Sequence, residues 1–288
     1  MKGIILAGGK GSRLYPMTKA MSKPLIPIYD KPMVYYPLSA LLTAGIRDII
    51  LITAPADVES YQRLLGDGSQ YGVRMSYGIQ YVARGIADAF LIAEDFLAGD
   101  RCCLVLGDNM FHGEQLSYLL WDAAQQESGA TIFGYPVSNP RAYGVVEFNE
   151  NNRVLSIEEK PEHPRSNYAV PGLYFYDGKA VELAKTLKPS ARGELEITAL
   201  NEEYLKRGEL RVGLMTRGMA WLDTGTPEGM LNAAQYVEAV QSRQGLYIAC
   251  PEEIAWSKGF ITTEQLYAIG NDLKMTEYGQ YLLSLGKK

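Results

Sequence analysis

Near the amino terminus, glycines, cations and a hydroxyl are packed together in Gly8-Gly9-Lys10-Gly11-Ser12-Arg13, directly after the apolar run Gly3-Ile4-Ile5-Leu6-Ala7. The run has the pattern of a strand that breaks into a loop. Glycines let backbone N–H groups line a concavity with no Cβ in the way, and Lys10 and Arg13 add full charges to those partial ones. Such a loop suits an anion, and a phosphate above all. The plainer alternative is a flexible turn after the first strand. Two named phosphate loops fail by residue. A Walker A loop needs Ser or Thr directly after Gly-Lys, where Gly11 stands, and the dinucleotide fingerprint needs a third glycine where Leu14 stands.

A second lysine, Lys23, lies in Ser22-Lys23-Pro24-Leu25-Ile26-Pro27. The prolines fix φ and remove donors, so the segment reads as a stiff loop and not a helix. Asp108 follows the apolar run Leu104-Val105-Leu106-Gly107, and Asp223 follows Trp221-Leu222. Either aspartate alone reads as a turn or helix-cap residue. Beside a phosphate loop the pair suits magnesium, which takes only one or two protein carboxylates when it binds nucleotide phosphates. Glu158-Glu159-Lys160-Pro161 has the look of a solvated strand end with a surface ion pair. The guanidinium of Arg192 could hold two phosphate oxygens at once. His112 and His163 are too few and too far apart to suggest a zinc site, and the tyrosines read as packing.

These residues must be held by a regular frame, and the first half of the chain supplies one by alternation. Strand patterns at Gly3–Ala7, Ile49–Thr53, Arg74–Gln80 and Cys102–Leu106 are separated by helical patterns at Met33–Ala44, Asp57–Leu65 and Ile86–Leu97. That order predicts a parallel sheet wrapped by helices, with ligands at the carboxyl ends of its strands. Tyr143–Phe148, Val154–Glu159 and Tyr168–Tyr176 follow without long helices between them, which predicts inserted antiparallel strands in a mixed sheet. After a strand at Leu210–Met215, Pro227 suits the first turn of a helix running to about Arg243.

The 288 residues are 47% hydrophobic and 21% charged, enough for one large α/β domain and an appendage. A net charge of −5 gives no general attraction to nucleic acid or acidic membranes, so any anion site is local. No apolar run is long enough or free enough of charge to predict a membrane span or a secretion signal. The odd set of three cysteines, with Cys102 and Cys103 adjacent in a buried strand pattern, predicts small core residues in a reducing compartment, the cytoplasm.

The paired segments Gly8-Gly9-Lys10-Gly11-Ser12-Arg13-Leu14 and Ser22-Lys23-Pro24-Leu25-Ile26-Pro27 resemble the signature of the sugar-1-phosphate nucleotidylyltransferases. The likeness extends through Leu106-Gly107-Asp108-Asn109, Tyr143-Gly144-Val145-Val146-Glu147-Phe148, Arg192-Gly193-Glu194-Leu195-Glu196-Ile197-Thr198 and Trp221-Leu222-Asp223-Thr224-Gly225, and is strongest to the thymidylyl branch. It implies an α/β, Rossmann-like nucleotidyltransferase fold, a mixed and mostly parallel sheet flanked by helices. The catalytic domain would span 1–227, with a small helical appendage over 228–288 packed on it. It also implies a magnesium requirement and usually a homotetramer. The implied reaction moves a thymidylyl group from dTTP to glucose 1-phosphate, giving dTDP-glucose and pyrophosphate. UTP or another sugar phosphate is the near alternative, and a non-catalytic nucleotide-sugar-binding regulator the distant one.

Carried over by position, the resemblance places Gly8, Gly11, Ser12 and Arg13 on the nucleotide phosphates, Lys23 on the reacting phosphate, and Gln80 and Gly85 beside the base. Arg13, Lys23 and Asp108 are the implied catalytic groups, and Asp108 and Asp223 the metal ligands. Gly144, Glu159, Lys160, Val170 and Arg192 would line the sugar-phosphate side. The chain departs from the pattern at Lys10, a small residue in the family, and at Pro24, a Gln in the thymidylyl branch. Tyr81-Val82-Ala83-Arg84 replaces a proline-containing loop ending in Asp-Gly. Ser257 stands where Arg is common beside Cys250-Pro251-Glu252-Glu253, near a regulatory nucleotide site of family members.

Overall fold

The computed structural model describes residues 1–9 and 11–286, so Lys10 and the last two residues lie outside the described residues. Chain order begins with β1 (Lys2–Leu6), the short pair β2 (Pro27–Ile28) and β3 (Lys31–Pro32), α1 (Tyr35–Thr43), β4 (Asp48–Thr53), α2 (Val58–Leu65) and β5 (Arg74–Ile79). Next come α3 (Asp88–Ile92), α4 (Glu94–Leu97), β6 (Cys102–Leu106), β7 (Asn109–His112), α5 (Leu116–Gln125) and β8 (Ala130–Pro136). The middle runs through β9 (Gly144–Phe148), β10 (Val154–Glu159), β11 (Tyr168–Ala169) and β12 (Leu173–Tyr176) to α6 (Ala180–Thr186) and α7 (Ile197–Lys206). The chain then passes through β13 (Leu210–Leu214), β14 (Ala220–Asp223), α8 (Pro227–Gln244), α9 (Pro251–Ser257), α10 (Thr263–Asp272) and α11 (Glu277–Leu285).

Most strands form one mixed sheet in the order β10-β9-β11-β8-β12-β6-β1-β4-β5, with β13 joined to β8. β6, β1, β4 and β5 run parallel, while β12, β11, β9 and β10 are inserted antiparallel. Strand alternation assigns the two faces. Ile5, Leu51 and Val105 pack toward α1 and α5, and Ile4, Ile50 and Leu104 pack toward α3, α6 and α7. A third cluster joins Leu14, Ile28 and Met33 to Met230, Ala233 and Val237 of α8, which seats the C-terminal helices against the segment behind the glycine loop. No helix among the described residues is long and apolar enough to cross a membrane.

Three elements differ from the sequence expectation. The helix expected over 86–97 divides into α3 and α4 at Ala93, and the strand expected over 168–176 divides into β11 and β12. Pro171 has no N–H for the ladder, which interrupts the strand there. The stiff loop at Lys23 is a single 3-10 turn, Lys23–Leu25, with Pro24 in its first positions. Leu104, fully buried on the central strand β6, carries the strand that presents Asp108. Leu104→Ala should destabilise the protein by about 2 to 5 kcal/mol, read as a lower urea midpoint with an unchanged slope.

Candidate active site

The parallel half of the sheet brings separate strand ends to one edge. Leu6 of β1 is in register with Leu106 of β6 and Ile52 of β4, so the loops after them emerge side by side. β1 opens into the glycine loop, β6 into Gly107-Asp108, and β5 into Gln80, whose N–H donates to the Thr53 carbonyl at 2.8 Å. Gly11 takes φ +58°, a left-handed conformation that L side chains resist, and starts the 3-10 turn Ser12–Leu14 that buries Leu14 and leaves Arg13 outward. The cleft beside this loop is lined by Gly9, Gly11, Ser12, Arg13, Lys23 and Asp108.

Lys23 is only 8% exposed, and its Nζ donates to Asp108 Oδ2 in a close ion pair. The other carboxylate oxygen, Oδ1, accepts from Asn109 Nδ2 at 2.9 Å. Asn109 is fixed in turn, because its Oδ1 accepts from Trp221 Nε1 at 2.7 Å and from the Gly172 N–H at 3.0 Å. Asp223 lies opposite Asn109 in the β14–β7 pair, and the next residue, Thr224, donates through its N–H and Oγ1 to the Asp108 carbonyl at 3.3 and 2.8 Å. The two aspartates thus stand on neighbouring strand ends.

Burial pushes the Asp223 carboxyl above the ordinary aspartate range, and the charge of Asp108 pushes it further. Lys23, the Gly225 N–H and Arg13 pull the other way. A methyl group on Gly225 would stand 3.0 Å from both Arg13 Nη2 and Asp223 Oδ1, so the guanidinium and the carboxylate flank this glycine. Two carboxylates held together despite repulsion, both offering hard oxygen atoms, fit a divalent cation completed by phosphate and water oxygens. Among the described residues no group of three or more His, Cys, Asp or Glu gathers in this way.

The cleft continues past Arg13 and Asp108 into a lobe walled by Tyr143, Gly144, Glu159, Val170, Thr198 and Trp221. Glu159 Oε2 accepts from Thr198 Oγ1 at 2.7 Å, and Gly144 leaves room for that carboxylate, since a Cβ there would lie 3.3 Å from it. Lys160 also faces this lobe from a left-handed backbone at φ +45°, its N–H bonded to the Tyr143 carbonyl at 3.0 Å. A non-glycine residue held there before a proline is strained, and such strain gathers at functional walls. Arg192 lies at the rim of the adjoining lobe, held at 2.8 Å by Glu196, with Glu194 at 3.4 Å and Glu159 at 4.0 Å. That adjoining lobe also contains Gln80, Gly85 and Lys160.

The expected site residues therefore meet in one continuous cleft, with Gly8 as an exception. Gly8 does not line it but backs onto the Gln80 side chain, whose Oε1 would touch a Cβ at that position. Neither histidine reaches the cleft. His112 pairs through Nδ1 with Tyr236 OH at 2.7 Å, and burial lowers its pKa.

A family model described as nucleotidyl transferase matches residues 2–240. The glucose-1-phosphate thymidylyltransferase of Neisseria meningitidis serogroup A is 58% identical over 288 residues, covering 100% of both chains. The chain belongs to the glucose-1-phosphate thymidylyltransferases. A crystal structure of a Bacillus anthracis protein assigned to the same thymidylyltransferases, in complex with sucrose, superposes with a TM-score of 0.76 at 43% identity. The match covers 82% of this chain and 94% of that one. A UDP-glucose pyrophosphorylase complexed with UDP-glucose shares the fold, with a TM-score of 0.73 at 23% identity over 84% of this chain and 99% of that one.

Within this cleft, sequence reasoning gave no role to Asn109, Tyr143, Thr198 or Trp221. Asn109 had a signal, since it follows Asp108 at a strand end, whereas Thr198 meets Glu159 only through folding across 39 residues. The raised Asp223 carboxyl fixes the sign of a stability change. A raised folded pKa contributes stability at low pH that is lost as pH rises through that value. Asp223→Asn should therefore gain melting temperature relative to the native protein as pH rises above about 4 and, if the carboxylate pair binds magnesium, should not share a stabilisation by added metal that the native protein shows. Thermal scans across pH with and without the metal check both halves.

Proposed function

We infer that this chain transfers a thymidylyl group from dTTP to glucose 1-phosphate, releasing pyrophosphate and leaving dTDP-glucose. The observation that carries the reading is that Lys23, Asp108 and Asp223 share one cleft with Lys160. The nucleotide phosphates lie along Gly11, Ser12 and Arg13, the base beside Gln80 and Gly85, and the sugar phosphate between Lys160, Arg192, Glu159, Gly144 and Val170.

The chemistry this site must perform is positioning and charge neutralisation. A sugar phosphate loses its second proton near about pH 6, so its oxygen is already a nucleophile at neutral pH and needs no histidine base. Lys160 and Arg192 offset the repulsion between the incoming phosphate and the triphosphate, and Glu159 and Thr198 hold the sugar's hydroxyls. Arg13 and Lys23 stabilise the charge that moves onto the leaving pyrophosphate as the sugar-phosphate oxygen attacks the α-phosphorus in line. Asp108 and Asp223 would hold magnesium, which when bound draws charge from the phosphoryl oxygens. Assembly as a homotetramer and a cytoplasmic location belong to the same proposal. Exposed Tyr118 and Trp121 on α5 offer apolar surface for a second copy, and the buried free thiols of Cys102, Cys103 and Cys250 suit a reducing compartment.

Pyrophosphate release measured over a panel of nucleoside triphosphates and sugar 1-phosphates tests the reaction, with dTTP and glucose 1-phosphate expected to give the highest kcat/KM and UTP as the rival nucleotide. Lys160→Ala should raise the KM for glucose 1-phosphate about tenfold or more with the KM for dTTP little changed. A loss confined to dTTP affinity would contradict the placement of Lys160. Asp108→Asn should lower kcat by about 100-fold or more without unfolding the protein, and steady-state rates with circular dichroism decide it.

A further inference from the structure

Behind Gln80 stands a carboxylate that the reaction does not use. Asp88, the first residue of α3, is 1% exposed, and its Oδ2 accepts from Gln80 Nε2 at 2.9 Å. Its Oδ1 lies 2.8 Å from Arg84 Nη2, close enough for an ion pair but not aligned as a hydrogen bond. Arg84 ends the segment that departs from the family's Asp-Gly pattern, so a cation at position 84 meets a buried anion at position 88. The carboxylate therefore has the Gln80 amide on one oxygen and the Arg84 guanidinium beside the other.

We propose that Asp88, charge-balanced by Arg84, is a positioning residue that fixes the orientation of the Gln80 amide and so sets which pyrimidine edge the site accepts. An ionised carboxylate cannot donate, so the amide nitrogen of Gln80 must face it, whatever the assignment of amide atoms. The oxygen Oε1 is then turned over Gly8 at the edge of the cleft, with no donor among the described residues. Gln80 is 6% exposed, and the carboxylate behind it makes rotation of the amide unfavourable. An acceptor fixed in that place complements the N3–H of thymine or uracil. It opposes cytosine, whose N3 is itself an acceptor.

The inference rests on the base lying beside Gln80 in the function proposed above. The ratio of kcat/KM for dTTP over dCTP, with glucose 1-phosphate saturating, reads it directly. In Asp88→Asn the neighbouring amide can either donate or accept, so Gln80 can rotate. The ratio should fall about tenfold or more, mostly through KM for dCTP. The swapped pair Gln80→Glu with Asp88→Asn restores an acceptor toward the base, because the Asn amide donates to the Glu, and it should recover the ratio. A role in packing alone predicts no such recovery. Circular dichroism confirms folding of each variant. An unchanged ratio in folded Asp88→Asn, or a double variant no more selective than the single, overturns the inference. A native protein that uses dCTP as well as dTTP instead overturns the base assignment beneath it.

Discussion

The arrangement of the cleft depends on confining like charges at a sheet edge. Asp108 and Asp223 sit on adjacent strand ends, and burial with mutual repulsion raises the Asp223 carboxyl. Lys23, buried and joined to Asp108, holds the pair in place, and Arg13 flanks Asp223 across Gly225. In the proposed reaction the same cations would face substrates that are themselves anions. In that reaction these groups would already stand where charge develops and need not reorganise.

The frame supplies rigidity where the charges need it. β1 and β6 are central, parallel and buried on both faces, so the loops they carry cannot slide relative to one another without disturbing the core. Asn109 passes that rigidity to Asp108, since one side-chain amide bridges Trp221, the Gly172 backbone and the carboxylate. The C-terminal helices hold the rear of the glycine loop. α8 packs on Leu14 and Met33, and buried Lys31 bonds Asp30 at 2.5 Å and Gln241 of α8 at 3.2 Å.

Much of this was legible before folding. Strand and helix alternation gave the parallel half and the edge where the cleft lies, because periodicity reports burial directly. Glycines, lysines and aspartates at strand ends marked residues that the fold brings to one cleft. What periodicity could not reach were contacts made only by distant segments. Thr198 against Glu159, Trp221 against Asn109 and Asp88 behind Gln80 are each ordinary residues by type. Breaks inside elements were also missed, as at Ala93 between α3 and α4, where no proline or glycine announces the interruption. The strain at Lys160 has no local sequence cue beyond the following proline.

The central claim is that the cleft brings two anions into direct reaction with no protein group bonded to the nucleotide along the way. Stereochemistry at phosphorus tests this most directly. Turnover of a single diastereomer of dTTP carrying sulfur on the α-phosphorus, with glucose 1-phosphate as acceptor, should give the dTDP-glucose analogue with inverted configuration. Retention of configuration would mean two displacements through a nucleotidylated side chain, and would contradict the account.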